Sequence, residues 1–258
     1  MLFYDTPCHY LHISHGNIGR VPMGKRRYAW HMGKGIILFQ EHIRRKDRMK
    51  KVLYGTSFDI KGLTEWLANN PASGYGIQDA EWLANAVLDA GGWDTHGQAI
   101  PIKDIAECFG FKVYAQDIIP DGAIGNIYVG GTTKKLYGHD KVIIAKKGEE
   151  PAHQRFIIAH ELGHYLMDYV GSALERTPNR LFAQAYTKEN HGAGDIMEDR
   201  ADRFAAELLM PKTEFLQEYA RVMRMVESDM RFVIPTLAVY FDVKPGSIEK
   251  RIIETGIS

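Results

Sequence analysis

Residues Pro151 to Tyr169 read PAHQRFIIAHELGHYLMDY, and the fold turns on how this stretch is interpreted. The spacing predicts a helix, with Pro151 in the first turn, where its missing N–H is no loss. Apolar side chains occupy both sides: Phe156, Leu166 and Met167 on one, Ile158, Leu162 and Tyr165 on the other. A helix apolar all round belongs in a core. Yet its middle carries His160, Glu161 and His164. Burying such groups without partners costs roughly 2–7 kcal/mol each, so the fold must supply something to compensate them.

His160-Glu161-Leu162-Gly163-His164 is an HExxH pattern. Four residues advance an α-helix by ~400° and ~6 Å, so both imidazoles leave one face, a turn apart. That spacing suits two ligands of a tetrahedral zinc ion. Glu161 sits ~100° round the helix, beside the ion, where it can take a proton from an attacking water. Chance alone places such a pentapeptide in roughly 3 of 100 chains of this composition. Two satisfied core histidines and a surface Glu are therefore the competing interpretation; placement inside an apolar helix argues against it.

A third ligand is needed. The metzincin pattern requires Gly at position 167 and His at position 170, and this chain has Met167 and Val170. The other common solution is a Glu on a second helix. Met197 to Met210 (MEDRADRFAAELLM) predicts one, ended by Pro211. Glu198 and Asp202 stand one turn apart on its apolar stripe, which makes Glu198 the candidate ligand and Asp202 the candidate acceptor from a ligating histidine. In the alternative, Asp195 caps this helix, Glu198 completes a capping box, and Asp202 pairs with Arg155 or Arg203. Asp168 is a weaker candidate ligand, one turn beyond His164.

Outward from these helices, the 258 residues are 45% hydrophobic and 25% charged, with 32 Lys+Arg against 32 Asp+Glu. This is the composition of a folded globular chain and excludes wholesale disorder or collagen-like repetition. No apolar run reaches the ~18–20 residues of a membrane helix, and no secretory signal opens the chain. Two cysteines, Cys8 and Cys108, form no disulfide framework, which fits a cytoplasmic location. The overall neutrality hides an asymmetry: residues 1–55 hold 11 Lys+Arg and 3 Asp+Glu. A join is expected near NNPASGYG (69–76), which divides the chain into a basic N-terminal extension (1–75), a core (76–212) and a C-terminal helical module (213–258).

Within the core, Gln78 to Leu88 reads as a helix and Ile102 to Phe109 as a shorter one. Strands are expected at FKVY (111–114), AIGNIYV (123–129) and KVIIA (141–145). AIGNIYV alternates and is punctuated by glycine, so it is the expected edge strand. Near the C-terminus, Leu237 to Phe241, a turn at Lys244-Pro245-Gly246, and a helix capped by Ser247 read as helix, turn, helix. Lys244, Lys250 and Arg251 could touch phosphate there, although the flanking acids favour protein contact.

AHELGHYLM (159–167), followed by E-x-x-A-D-x-F-A-A-E-L-L-M-P (Glu198 to Pro211), resembles the ImmA/IrrE-like metallopeptidases. KVIIA leading into RFIIAHELGHYL, IAECFGFKVY (105–114) and LAVYFDVKPGSIEKRI (237–252) are similar to the same family, so the resemblance covers about residues 78–258. It implies an α+β, minimal zincin-like core with His160, His164 and Glu198 as zinc ligands and Glu161 as general base. It further implies a protein substrate, a helix-turn-helix repressor encoded nearby, and a helix-turn-helix-like tail. The chain departs from the family where Asp168 replaces a frequent His, in the long stretch Val170 to Gly194, and in its first ~75 residues.

The expected function is hydrolysis of a peptide bond in a regulatory protein. Two rivals are a non-proteolytic binding module (an anti-repressor or toxin–antitoxin partner) and a DNA-binding regulator with a degenerate peptidase core. Tyr165 and His191 are conceivable partners for an oxyanion. Cys8, His9, His12 and His15 could hold a second metal, although no distal pair matches them. The basic run EHIRRKDRMKK (41–51) could contact nucleic acid, although charge runs usually form solvated faces.

Overall fold

The computed structural model describes residues 59–71, 76–93, 97–117, 122–176, 181–187 and 195–257. Cys8, His9, His12, His15, the 41–51 basic run and His191 lie outside them. The described residues fall within one compact unit, Thr56–Ser258. Among the described residues, no helix is long and apolar enough to cross a membrane.

The fold is α+β, as the sequence led us to expect. Helices α1 (Ile60–Asn69), α2 (Ile77–Gly91) and α3 (Ile102–Cys108) precede strands β1 (Lys112–Gln116) and β2 (Ala123–Val129). A short helix α4 (Gly131–Tyr137) leads into β3 (Lys141–Lys146) and the HExxH helix α5 (Pro151–His164). Helix α5 continues as a π-helical turn, Tyr165–Tyr169, before β4 (Phe182–Thr187). Four helices complete the chain: α6 (Ile196–Leu209), α7 (Lys212–Met225), α8 (Met230–Phe241) and α9 (Pro245–Thr255).

The sheet runs β1-β3-β2-β4. Strand β3 is parallel to β1 and antiparallel to β2, which is antiparallel to β4. AIGNIYV is therefore an interior strand, not the edge. The alternation that marked it as half-exposed is misleading, because its residues are almost all buried. Among the described residues, strand β4, lying in the long connection that departs from the family pattern, takes the edge beyond it.

Helix α5 crosses β2, β3 and β4 on one face and packs lengthwise on α6, which in turn packs on α2. Two elements extend the core beyond its expected bounds. Helix α1 lies before the expected join at 69–76, yet its Leu63 and Leu67 are fully buried in the common cluster. Val233, Leu237, Phe241, Ile248 and Ile252 bring α8 and α9 into the same cluster. Helix α9 starts at Pro245 with Lys244 as N-cap, so Ser247 is not the cap. Arg251 is not available to phosphate either: it is 1% exposed, paired with Glu207 and donating to the Met210 carbonyl at 2.9 Å.

Candidate metal centre

Along α5 every residue from Ile157 to His164 is buried. The helix has neighbours on all sides, the sheet beneath and α6 alongside, as its all-round apolar pattern requires. His160 and His164 leave one face, and their Nε2 atoms stand 3.0 Å apart. Helix α6 brings Glu198 to the same point, with Oε2 3.2 Å from His160 Nε2 and Oε1 3.3 Å from His164 Nε2. Asp195 does cap α6, accepting from the Met197 N–H at 3.0 Å, but Glu198 faces the histidines. The three residues form a buried cluster whose ligand atoms lie within 4.8 Å of one another.

The outer ring atoms fix what the inner ones can do. His160 Nδ1 lies 3.0 Å from Asp202 Oδ1, and His164 Nδ1 lies 2.8 Å from Asp168 Oδ2. Carboxylates only accept, so each Nδ1 carries the proton and each neutral ring turns an Nε2 lone pair inward. Two nitrogen lone pairs and a carboxylate then converge with no donor among them. Such a cluster calls for a positive charge at its centre, a proton when bare, and its donor set of two imidazoles and one carboxylate, all buried, fits a divalent transition metal. The protonation behaviour of the bare site shows the same demand. Burial alone would lower the His164 pKa, but hydrogen bonds to Asp168 and Glu198 outweigh it and raise it to about 10. His160 is likewise raised, with burial opposed by Asp202 and Glu198. Glu198 is held well below the usual carboxylate range: burial would raise it, and the two histidines prevail.

Asp168 and Asp202 thus occupy matching positions behind the two histidines. Asp168, a weaker ligand candidate by sequence, accepts from His164 and from the buried Arg200 guanidinium at 2.5 Å. Asp202 pairs with Lys250 of α9 at 3.1 Å, rather than with Arg155 or Arg203. Arg155 instead reaches Asp242 and the Ile100 carbonyl, and Arg203 pairs with Glu81 and Glu254.

Glu161 points toward the sheet and is fully buried, its carboxylate facing the Tyr186 backbone of β4. Its neighbour on β2 is Gly125. A Cβ at Gly125 would stand 2.3 Å from Ile157 Cγ2 and 3.0 Å from Glu161 Oε1, so the missing side chain makes room for Ile157 first and for the carboxylate beside it. Burial raises the Glu161 pKa to about 7, against the downward pull of the two histidines. A carboxyl poised there can take and return a proton near neutrality.

Tyr165 is placed elsewhere. Its hydroxyl accepts from Lys141 Nζ at 2.6 Å and its ring meets Phe111 edge-on, so it serves the core rather than an oxyanion. Tyr186 of β4 is the residue the sequence reading missed. Its ring centroid is 4.2 Å from that of His160, and it is 5% exposed. The alternation of FAQAYT (182–187) was the available signal.

A search of curated proteins finds no match. Among solved structures, a Mycobacterium tuberculosis transcriptional regulator shares 19% identity with a TM-score of 0.41 over 74% of this chain. That alignment spans 50% of the regulator, about half its length. The profile of the M78 peptidase family, described as the IrrE N-terminal-like domain, matches residues 107–252, which include α5, α6 and most of α9. With more than half its length matched, the chain belongs to the M78 peptidase family.

Proposed function

We propose that this protein is a zinc-dependent endopeptidase that cleaves a regulatory protein in the cytoplasm, a helix-turn-helix repressor being the substrate the family resemblance implies. One observation carries the reading: two inward imidazole lone pairs and the Glu198 carboxylate converge beside a buried Glu161. His160, His164 and Glu198 would hold the ion. When bound, it would supply Lewis acidity toward a scissile carbonyl and an attacking water. Glu161 accepts the water proton on its carboxylate and returns it to the leaving amine. Asp168 and Asp202 keep the imidazoles in the tautomer that presents Nε2. A substrate pairs by main-chain hydrogen bonds with the outer edge of β4.

The test is co-incubation of the protein with the repressor encoded beside its gene. Glu161→Gln should keep zinc and abolish cleavage, and chelator should abolish cleavage by the unaltered chain. Association that is indifferent to chelator, with no cleavage, would instead assign a non-proteolytic binding module.

A further inference from the structure

A cavity of about 320 Å³ lies between α5, α6, β4 and α9. Such a volume falls in the range of small-ligand pockets. Three of its lining residues touch or flank His160: Asp202 by hydrogen bond, Tyr186 by ring contact, and Phe156 with its ring centroid 6.5 Å from the imidazole. The cavity thus adjoins the candidate metal centre on the Nδ1 side of His160. Its apolar walls are Phe156 from α5, Ala206 from α6 and Met210 just beyond the end of α6. Its far wall is the C-terminal module, through Lys244, Gly246, Ser247 and Lys250.

Sheet geometry connects this cavity to a bound peptide. Among the described residues β4 pairs only with β2, leaving its other edge open. Residues directly opposite each other on paired strands project to the same face. Tyr186 projects toward α5, onto His160. A peptide residue opposite Tyr186 must project the same way, into the space that Tyr186 lines.

The charge of the lining indicates which side chain belongs there. Each acid on the wall is already engaged: Asp202 by His160 and Lys250, Glu254 by Arg203 and Arg251. His153 is engaged by Glu149. Lys244, half-buried, has no ion-pair partner among the described residues, so its ammonium is the cation left to meet an anion that enters the cavity. Apolar walls suit a methylene stem, and an unpaired ammonium suits an anionic tip.

We propose that this cavity is a specificity pocket for the substrate residue lying opposite Tyr186, and that it selects a long side chain ending in a carboxylate, glutamate before any other. The C-terminal helix thereby becomes part of the substrate site. The inference rests on the peptidase reading above, so its test reads binding rather than turnover.

Two probe series are titrated calorimetrically into the zinc-loaded full chain: mercaptoacetyl-Xaa-Ala-amide and acetyl-Ala-Xaa-hydroxamate, with Xaa Glu, Leu, Lys or Gly. The thiolate or hydroxamate anchors on zinc and presents Xaa on one side or the other of the reacting position. In one series Glu should bind at least about tenfold tighter than Gly, with Lys weakest. Lys244→Glu should reverse the order of Glu and Lys. Ala206→Phe, which fills the cavity, should erase the Glu advantage. Equal binding of all four residues in both series would overturn the pocket, as would failure of every probe to bind zinc-loaded protein. A Glu preference unmoved by both variants would overturn it too. A chain that prefers Glu but never cleaves loses the peptidase reading alone; one that cleaves but shows no preference loses the pocket alone.

Discussion

Gly163 of α5 lies directly against Phe204 of α6: a Cβ on Gly163 would stand 3.0 Å from Phe204 Cδ1 and 3.3 Å from the Ala201 Cα. The absent side chain sets how closely the two helices approach, and that approach brings Glu198 within 3.3 Å of both histidines. The glycine inside the HExxH pattern is thus a packing residue with a chemical consequence. Gly163→Ala should push α6 outward by a few tenths of an ångström. We expect a loss of about 1–3 kcal/mol in stability and a weaker hold on zinc, measured by thermal melting and by competition with a chromogenic chelator. Unchanged zinc affinity would separate helix spacing from ligand placement.

Removing a carboxylate behind a histidine should weaken the metal without touching a ligand. Asp168→Asn and Asp202→Asn are each expected to lower zinc affinity by about 10–100-fold. Asp168 should also matter for folding, because it forms a buried ion pair with Arg200. Asp168→Ala should therefore cost about 1–3 kcal/mol in urea unfolding. Asp202, whose other partner Lys250 is largely exposed, should cost much less.

The metal-free protein should lose stability as pH rises. His164 titrates at about 10 when folded, against a reference of 6.5. A group raised on folding contributes stability that is fully present below the unfolded value and lost as pH climbs through the folded one. The melting temperature of chelated protein should therefore fall between pH 6.5 and about 10, and His164→Gln should flatten the trend. Zinc-loaded protein should not follow it, because the metal replaces the proton between the rings. A chelated protein that gains stability across this window would contradict the placement of Asp168 and Glu198 around His164.

The C-terminal helix should be tied to the core by a buried ion pair. Arg251 is 1% exposed and meets Glu207, which also accepts from Asn85 Nδ2 at 2.9 Å. Arg251→Met leaves that carboxylate uncompensated and should cost about 3–5 kcal/mol. The double variant Arg251→Met with Glu207→Gln should recover most of the loss in the same unfolding assay. No recovery would show that the packing of Arg251, rather than its charge, holds α9.

How far these features were legible in the sequence follows from how local they are. His160, Glu161 and His164 are fixed by helical spacing, and Glu198 by its place on an apolar stripe, so all four could be named from the chain alone. Partners set by tertiary approach could not. Asp168 looks like a ligand on a helical wheel, and only the fold shows it behind His164, held by Arg200. Strand β2 was expected at the edge because its pattern alternates; the strand that displaces it, β4, is six residues inside a long connection. Tyr186 was missed with it. Lys250 reached Asp202 across 48 positions of sequence, which no periodicity encodes.

The most direct test of the central claim is native mass spectrometry of the purified protein and three variants. The unaltered chain and Glu161→Gln should each carry about one zinc ion per chain, while His160→Ala and Glu198→Ala should carry little or none. A metal-free unaltered chain, or one that retains its zinc after loss of Glu198, would contradict the centre described here.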